Sequence, residues 1–182
     1  MRASRIVALV LFALAVLAIP AGATSLVRQG IDRLTVENET VVHGRVLDIR
    51  SYWNDDHNFI LTDVRVRPSQ VLKGQHAGDV TFTVMGGSVG EISTVIVGGA
   101  DLVPGSDYML FLGRVDLPGA ANRLTVRDHS QGVFEVANGR ARSQAIGEPL
   151  LPDASGRTDV VGGEEGMAIE ELVRQIRAHV NR

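Results

Sequence analysis

Between Thr40 and Gly87 the chain reads TVVHGRVLDIRSYWNDDHNFILTDVRVRPSQVLKGQHAGDVTFTVMGG, and three segments in it carry strand character in close succession. They are Val41 to Ser51, Phe59 to Arg67 and Val80 to Met85. In the second, Ile60, Thr62, Val64 and Val66 share one face, with Leu61, Asp63, Arg65 and Arg67 on the other. A period of two in β-branched residues predicts a half-buried strand. Gly44 inside the first strand predicts a bulge or a tight bend. Tyr52 to Asn58 reads as the polar turn that follows it, and Pro68 as the end of the second strand. This block carries no catalytic signature.

The first 23 residues read as a secretory leader: Arg2 and Arg5 precede the uninterrupted apolar run Ile6 to Ile19, and Ala21-Gly22-Ala23 fits the small-residue cleavage rule. The run is shorter than the roughly 20 residues a bilayer-spanning helix needs, so cleavage after Ala23 is expected, with no stable membrane span afterwards. Residues 24–182 are then one domain, secreted or periplasmic. The chain has a net charge of −3 and no cysteine. Loss of Arg2 and Arg5 makes it more acidic still, which argues against a nucleic-acid partner. An exported chain without disulfides must be held by an ordinary apolar core. Because the leader is of bacterial type, the Asn38-Glu39-Thr40 sequon carries little weight.

Leu26, Val27, Ile31 and Leu34 recur at helical spacing and predict a short amphipathic helix over 25–37, weakened by Gly30 in its interior. Gly86-Gly87 stops the third strand, and Ile92 to Val97, stopped by Gly98-Gly99, reads as a fourth. The almost wholly apolar run Tyr108 to Leu112 reads as a fifth, central one. Arg123 to Arg127 and Val133 to Val136 form a late pair, and an edge strand is expected around Ala141 in an otherwise extended stretch. In Glu164 to Val180, Ile169, Leu172, Val173, Ile176 and Val180 make one apolar helical stripe, with Glu170 and Arg174 spaced for an i,i+4 pair. There is no βαβ alternation. The expectation is a mainly β domain, a small antiparallel barrel of the OB (oligonucleotide/oligosaccharide-binding) type with helices at its two ends. A β-sandwich is the alternative.

Asp55-Asp56-His57-Asn58 is the densest polar cluster, and His43 or Asp63 could add a further metal ligand. Adjacent carboxylates seldom point at one ion, so a solvated turn is the plainer reading. Asp128-His129-Ser130 offers catalytic residue types, but a triad is assembled from separate segments and three adjacent letters say little. Ser88 lacks the G-x-S-x-G context, and Gly86 to Gly90 lacks the lysine and helix of a phosphate loop. No cofactor motif is present. For binding, Trp53 and Tyr52 could stack on a sugar or a peptide, although Trp53 folded back as a plug for the barrel mouth is the favoured reading. Arg65 and Arg67 would line the groove of the second and third strands.

Val42-His-Gly44-Arg-Val46, Ser51-Tyr-Trp53, Ile60-Leu-Thr62, Val71-Leu-Lys-Gly74, Val80 to Gly87 and Tyr108 to Leu112 together resemble a group of exported bacterial proteins of unknown function. The resemblance covers about residues 40–113. It implies an OB-like barrel similar to netrin and tissue-inhibitor-of-metalloproteinase modules. Those modules depend on cysteines, including an N-terminal one used at a protease metal, and this chain has none, so that inhibitory chemistry does not carry over. The expected function is a non-enzymatic binding module for an extracytoplasmic protein or a glycan. A structural role in the cell envelope and a metal-dependent enzyme built on His43, Asp56 and His57 are the alternatives.

Overall fold

The computed structural model describes residues 26–180, so the leader reading lies outside the described residues. Strands β1 (Leu26–Val27), β2 (Thr40–Trp53), β3 (Ile60–Lys73) and β4 (Val80–Met85) come first. They are followed by β5 (Gly87–Val89), β6 (Ile92–Thr94), β7 (Asp107–Leu117) and β8 (Ala120–Thr125). The chain ends with β9 (Val133–Ala137), β10 (Arg140–Ser143), β11 (Leu150–Leu151) and β12 (Met167–Ala168). Helix α1 (Ile31–Glu37) precedes β2, and α2 (Ile169–Val180) follows β12. The fold is mainly β, and β1 with β11 is its one parallel pair among the described residues.

The long antiparallel ribbon β2–β3 is the spine, paired from Val41↔Lys73 to Trp53↔Ile60 with three register shifts along it. Pro68 does not end β3. It sits opposite Gly44, where the register shifts, because a proline has no N–H for the ladder and the bulge absorbs that loss. A Cβ at Gly44 would come within 2.5 Å of the Arg67 carbonyl oxygen, so only glycine fits under this bend.

One sheet has the order β12-β10-β9-β7-β2-β3-β4, with β8 on the far half of β7. Strands β8, β7, β2, β3 and β4 therefore curl round a common interior, but β4 and β8 lie side by side without a ladder. The expected barrel is not closed. At this seam Val84, Met85, Val115, Leu117 and Thr125 share a cavity of about 80 Å³ with Ile96, Gly99 and Ala100 of the segment after β4. Side chains, not backbone bonds, join the two edges.

Alternation along β7 builds two cores. Tyr108, Leu110 and Leu112 point into the strand interior with Val42, Val64, Val66 and Phe82. Met109 and Phe111 point the other way, toward Phe134, Leu34, Leu172 and Ile176 under the helices. This two-sided burial accounts for the unbroken apolar run. The Phe111 and Phe134 rings pack tilted at 58° with centroids 5.9 Å apart.

Both helices are shorter than their sequence periods. Leu26 and Val27 leave the helical pattern to pair with Leu150 and Leu151, and Gly30 becomes the N-cap of α1, not an interior residue. Gly162, Gly163 and Gly166 hold positive φ and keep the preceding chain in turns until Met167. Arg140 and Arg142 bind the carbonyl oxygens of Glu164, Glu165 and Gly166, which fastens that turn to β10. In α2 the ion partner of Arg174 is Glu171, not Glu170. No helix among the described residues is long and apolar enough to cross a membrane.

Candidate functional site

The ribbon tip carries the aromatic pair. Tyr52 donates its hydroxyl to Asp63 Oδ1 at 3.0 Å, and Thr83 donates to the same oxygen at 2.7 Å. Burial and then this carboxylate push the Tyr52 phenol above its ordinary value. The Asp63 carboxylate thus links β2, β3 and β4, and the Tyr52 hydroxyl is already engaged. Trp53 is half-buried opposite Ile60 at the strand end. Beyond it, buried Asn54 accepts hydrogen bonds from the Asn58 and Phe59 amides and donates to the Pro118 carbonyl, which ties this turn to the β7–β8 turn.

Asp55, Asp56 and His57 are exposed on that turn. His43 lies ten strand residues away, about 30 Å along extended chain at ~3.3 Å per residue. The structure does not bring His43 to Asp56 and His57, and the described residues contain no cluster of three side chains suited to a metal. Arg65 and Arg67 both reach Asp79, at 3.1 and 3.4 Å, and Arg45 pairs with Asp107. The cations expected to line a groove are compensated by carboxylates across the strands.

His43 occupies a different place. Together with Gln70 it faces Ile169, Val173, Arg174 and Arg177 of α2 across an open groove of about 580 Å³. Ser69 Oγ donates to the His43 carbonyl at 3.1 Å and lies 3.2 Å from Nδ1. The direction of the Nδ1 contact follows the ring's tautomer, and Nε2 is buried without a partner in either one. Burial lowers the His43 pKa, with Asp107 opposing.

The feature that sequence reasoning missed is the arm from Gly86 to Ala100. The fourth strand expected over Ile92 to Val97 does not join the barrel. Its first residues form β6, which pairs only with β5, and the hairpin has no ladder to the main sheet, although β5 lies against β2 and β3. Its base is pinned on both sides. Thr62 Oγ1 donates to the Gly86 carbonyl at 2.7 Å and lies 2.8 Å from the Ser51 hydroxyl, while the Gly86 amide donates to Ile60. Gly87, at φ 124°, lies so close over the Ser51 and Thr62 hydroxyls that a Cβ there would collide with both. At the other end the Ser130 amide donates to Gly98, and Gln144 brackets the Asp101 backbone.

Between these anchors Ile96 turns inward to the seam cavity, while Val95 and Val97 stand 84% and 88% exposed and Ile92 55%. A second hollow of about 300 Å³ lies at the arm's base, lined by Ile49, Ser51, Thr62, Val64 and Leu102. The legible signal was the pair of double glycines bracketing a short stretch that ends in the β-branched run Thr94 to Val97. Comparison with protein-family models, curated proteins and solved structures finds no match for this chain.

Proposed function

We propose that the protein is an exported, non-enzymatic binding module that receives an extended apolar segment of another protein on the arm from Gly86 to Ala100. The observation that carries this is the outward pair Val95 and Val97, with Ile92 beside them, on a segment whose base is hydrogen-bonded in place. Isolated exposed valines are ordinary, but several on one projecting element mark an interaction site. Full burial of each valine by a partner contributes on the order of 1.5 kcal/mol. The groups that meet at the arm are hydroxyls, a backbone carbonyl and apolar side chains, which suits recognition.

Selection from a random heptapeptide library tests the reading. Extended apolar peptides are expected to be enriched, to bind at least tenfold more weakly to a Val95→Asp/Val97→Asp variant, and to bind a Trp53→Ala variant unchanged. Enrichment of nothing, or binding that survives the two aspartates and disappears with Trp53, overturns it.

A further inference from the structure

The hairpin β5–β6 is a two-stranded ribbon with register Gly87↔Thr94, Ser88↔Ser93 and Val89↔Ile92. The other edge of β6 has no strand partner among the described residues. Isolated two-stranded ribbons are marginal in water, and a third strand stabilises them. Natural edges are commonly blunted by lysine, proline or a bulge. Ser93-Thr-Val-Ile-Val97 has neither charge nor proline and is β-branched from Thr94 onward, the composition that pairs most readily with another strand. Beyond β6, Ile96 turns inward and Val95 and Val97 stand outward, and a turn closed by the Gly99 amide on the Ile96 carbonyl ends the strip at Val97 and Gly98.

Charge selects the occupant. Glu91 lies at the tip of the arm, just before Ile92. Asp101 follows its base, and the Glu148 carboxylate lies against Gly98, 3.5 Å from where a Cβ would stand. None of the three has an ion-pair partner among the described residues. The apolar strip therefore has carboxylates at both ends. A second copy pairing antiparallel would set Glu91 of one chain against Asp101 and Glu148 of the other, so like charges oppose self-association.

We propose that the free edge of β6 takes as a third strand an extended segment of a partner protein, apolar at alternate positions and carrying lysine or arginine at both ends. Main-chain hydrogen bonds hold the segment, Val95 and Val97 receive its apolar side chains, and the flanking cations meet Glu91 at one end and Asp101 with Glu148 at the other. This rests on the arm being the binding element.

The test titrates the protein at low salt with a blocked seven-residue peptide of alternating valine and threonine between terminal lysines. Two controls accompany it, one with glutamate at both ends and one N-methylated at alternate backbone nitrogens. The lysine peptide is expected to bind at least tenfold more tightly than the glutamate peptide and to weaken as salt is raised. The N-methylated peptide is expected not to bind, and a Glu91→Lys/Glu148→Lys variant should prefer the glutamate peptide. Equal binding of lysine and glutamate peptides, or undiminished binding of the N-methylated one, overturns the inference. So does concentration-dependent dimerisation abolished by Val95→Asp, which would assign the edge to a second copy. If library peptides bind through Val95 but show no preference for cations, this inference falls and the function proposed above stands. If no peptide of any kind binds, both fall.

Discussion

His43 is poised so that a proton has nowhere to go. Its Nδ1 faces Ser69 and its Nε2 is buried without an acceptor. Protonation would place a buried N–H beside Arg174 and Arg177 of α2, with Glu170 on the same helix and Asp107 on β7 as the nearby acids. The unfolded chain takes the proton near the ordinary value of 6.5, whereas the folded chain resists it to a lower pH. The unfolded state then binds more protons in that window, so stability is full above it and falls as pH drops through 6.5 toward the folded value. The slope can reach at most about 1.4 kcal/mol per pH unit. Urea unfolding of a His43→Gln variant between pH 7 and pH 5 is expected to show a shallower decline than the parent, and parallel declines would refute the assignment. At the opposite pole of charge, Arg28 is nearly buried against Asp153 at 2.7 Å and donates a second bond to the Asp159 carbonyl. The Ser155 hydroxyl, with the Arg157 and Ser155 amides and the Arg157 charge, holds the Asp153 carboxyl well below the usual carboxylate range. Arg28→Met leaves that carboxylate short of a partner. Amide exchange at Arg28, whose N–H donates to Leu151, is expected to quicken while β7 amides stay protected. Unchanged exchange at Arg28 would show the pair to be incidental.

At the scale of elements, glycines decide where the strands stop and how the arm leaves the sheet. Gly87 holds φ at 124° and lies directly over two hydroxyls, whereas Gly90, at φ 60°, has open space where a side chain would go. Gly87→Ala carries both backbone strain and a collision and is expected to cost about 2 kcal/mol or more. Gly90→Ala carries strain alone, about 1 kcal/mol. Equal losses in denaturant unfolding would mean that the arm's base is not fixed by this close approach. The same elements show what the sequence could and could not reveal. The bulge at Gly44 was legible because a glycine in a β-branched strand has few other uses, and the central place of Tyr108 to Leu112 was legible because both its faces are apolar. The passage of β3 through Pro68 was not, since a proline is admitted or refused by what lies opposite it, and here that is a glycine in a register shift. The arm was hidden for a related reason. Ile92 to Val97 has the local pattern of a barrel strand, and only its pairing with β5 in place of the main sheet sets it apart. Likewise Arg65 and Arg67 read as open cations until the β3–β4 register brings Asp79 to them from 14 and 12 residues along the chain.

For the whole molecule, the question is whether two cores make two folding units. Strand β7 answers it, because alternate residues of one strand feed both. Leu110 and Leu112 serve the strand interior, and Met109 and Phe111 serve the layer under the helices. Strand β2 does the same with Val42 and Val41. Neither core can lose its packing without moving the strand that carries the other, so a single cooperative transition is expected. The chain supplies its own probes. Its one tryptophan, Trp53, ends the ribbon on the strand side, and helical dichroism is dominated by α2, whose Leu172 and Ile176 belong to the second core. Tryptophan fluorescence and dichroism at 222 nm should give the same midpoint in urea. Phe111→Ala, with an expected loss of roughly 3–5 kcal/mol, should shift both midpoints together although it touches only the second core directly. Separation of the two curves in the variant, with the helical signal lost first, would show that α1, α2 and β9–β12 form a unit that can melt off the strands. The arm would then keep its anchors at Ile60 and Thr62 of β3 and lose the one that Gln144 makes at Asp101.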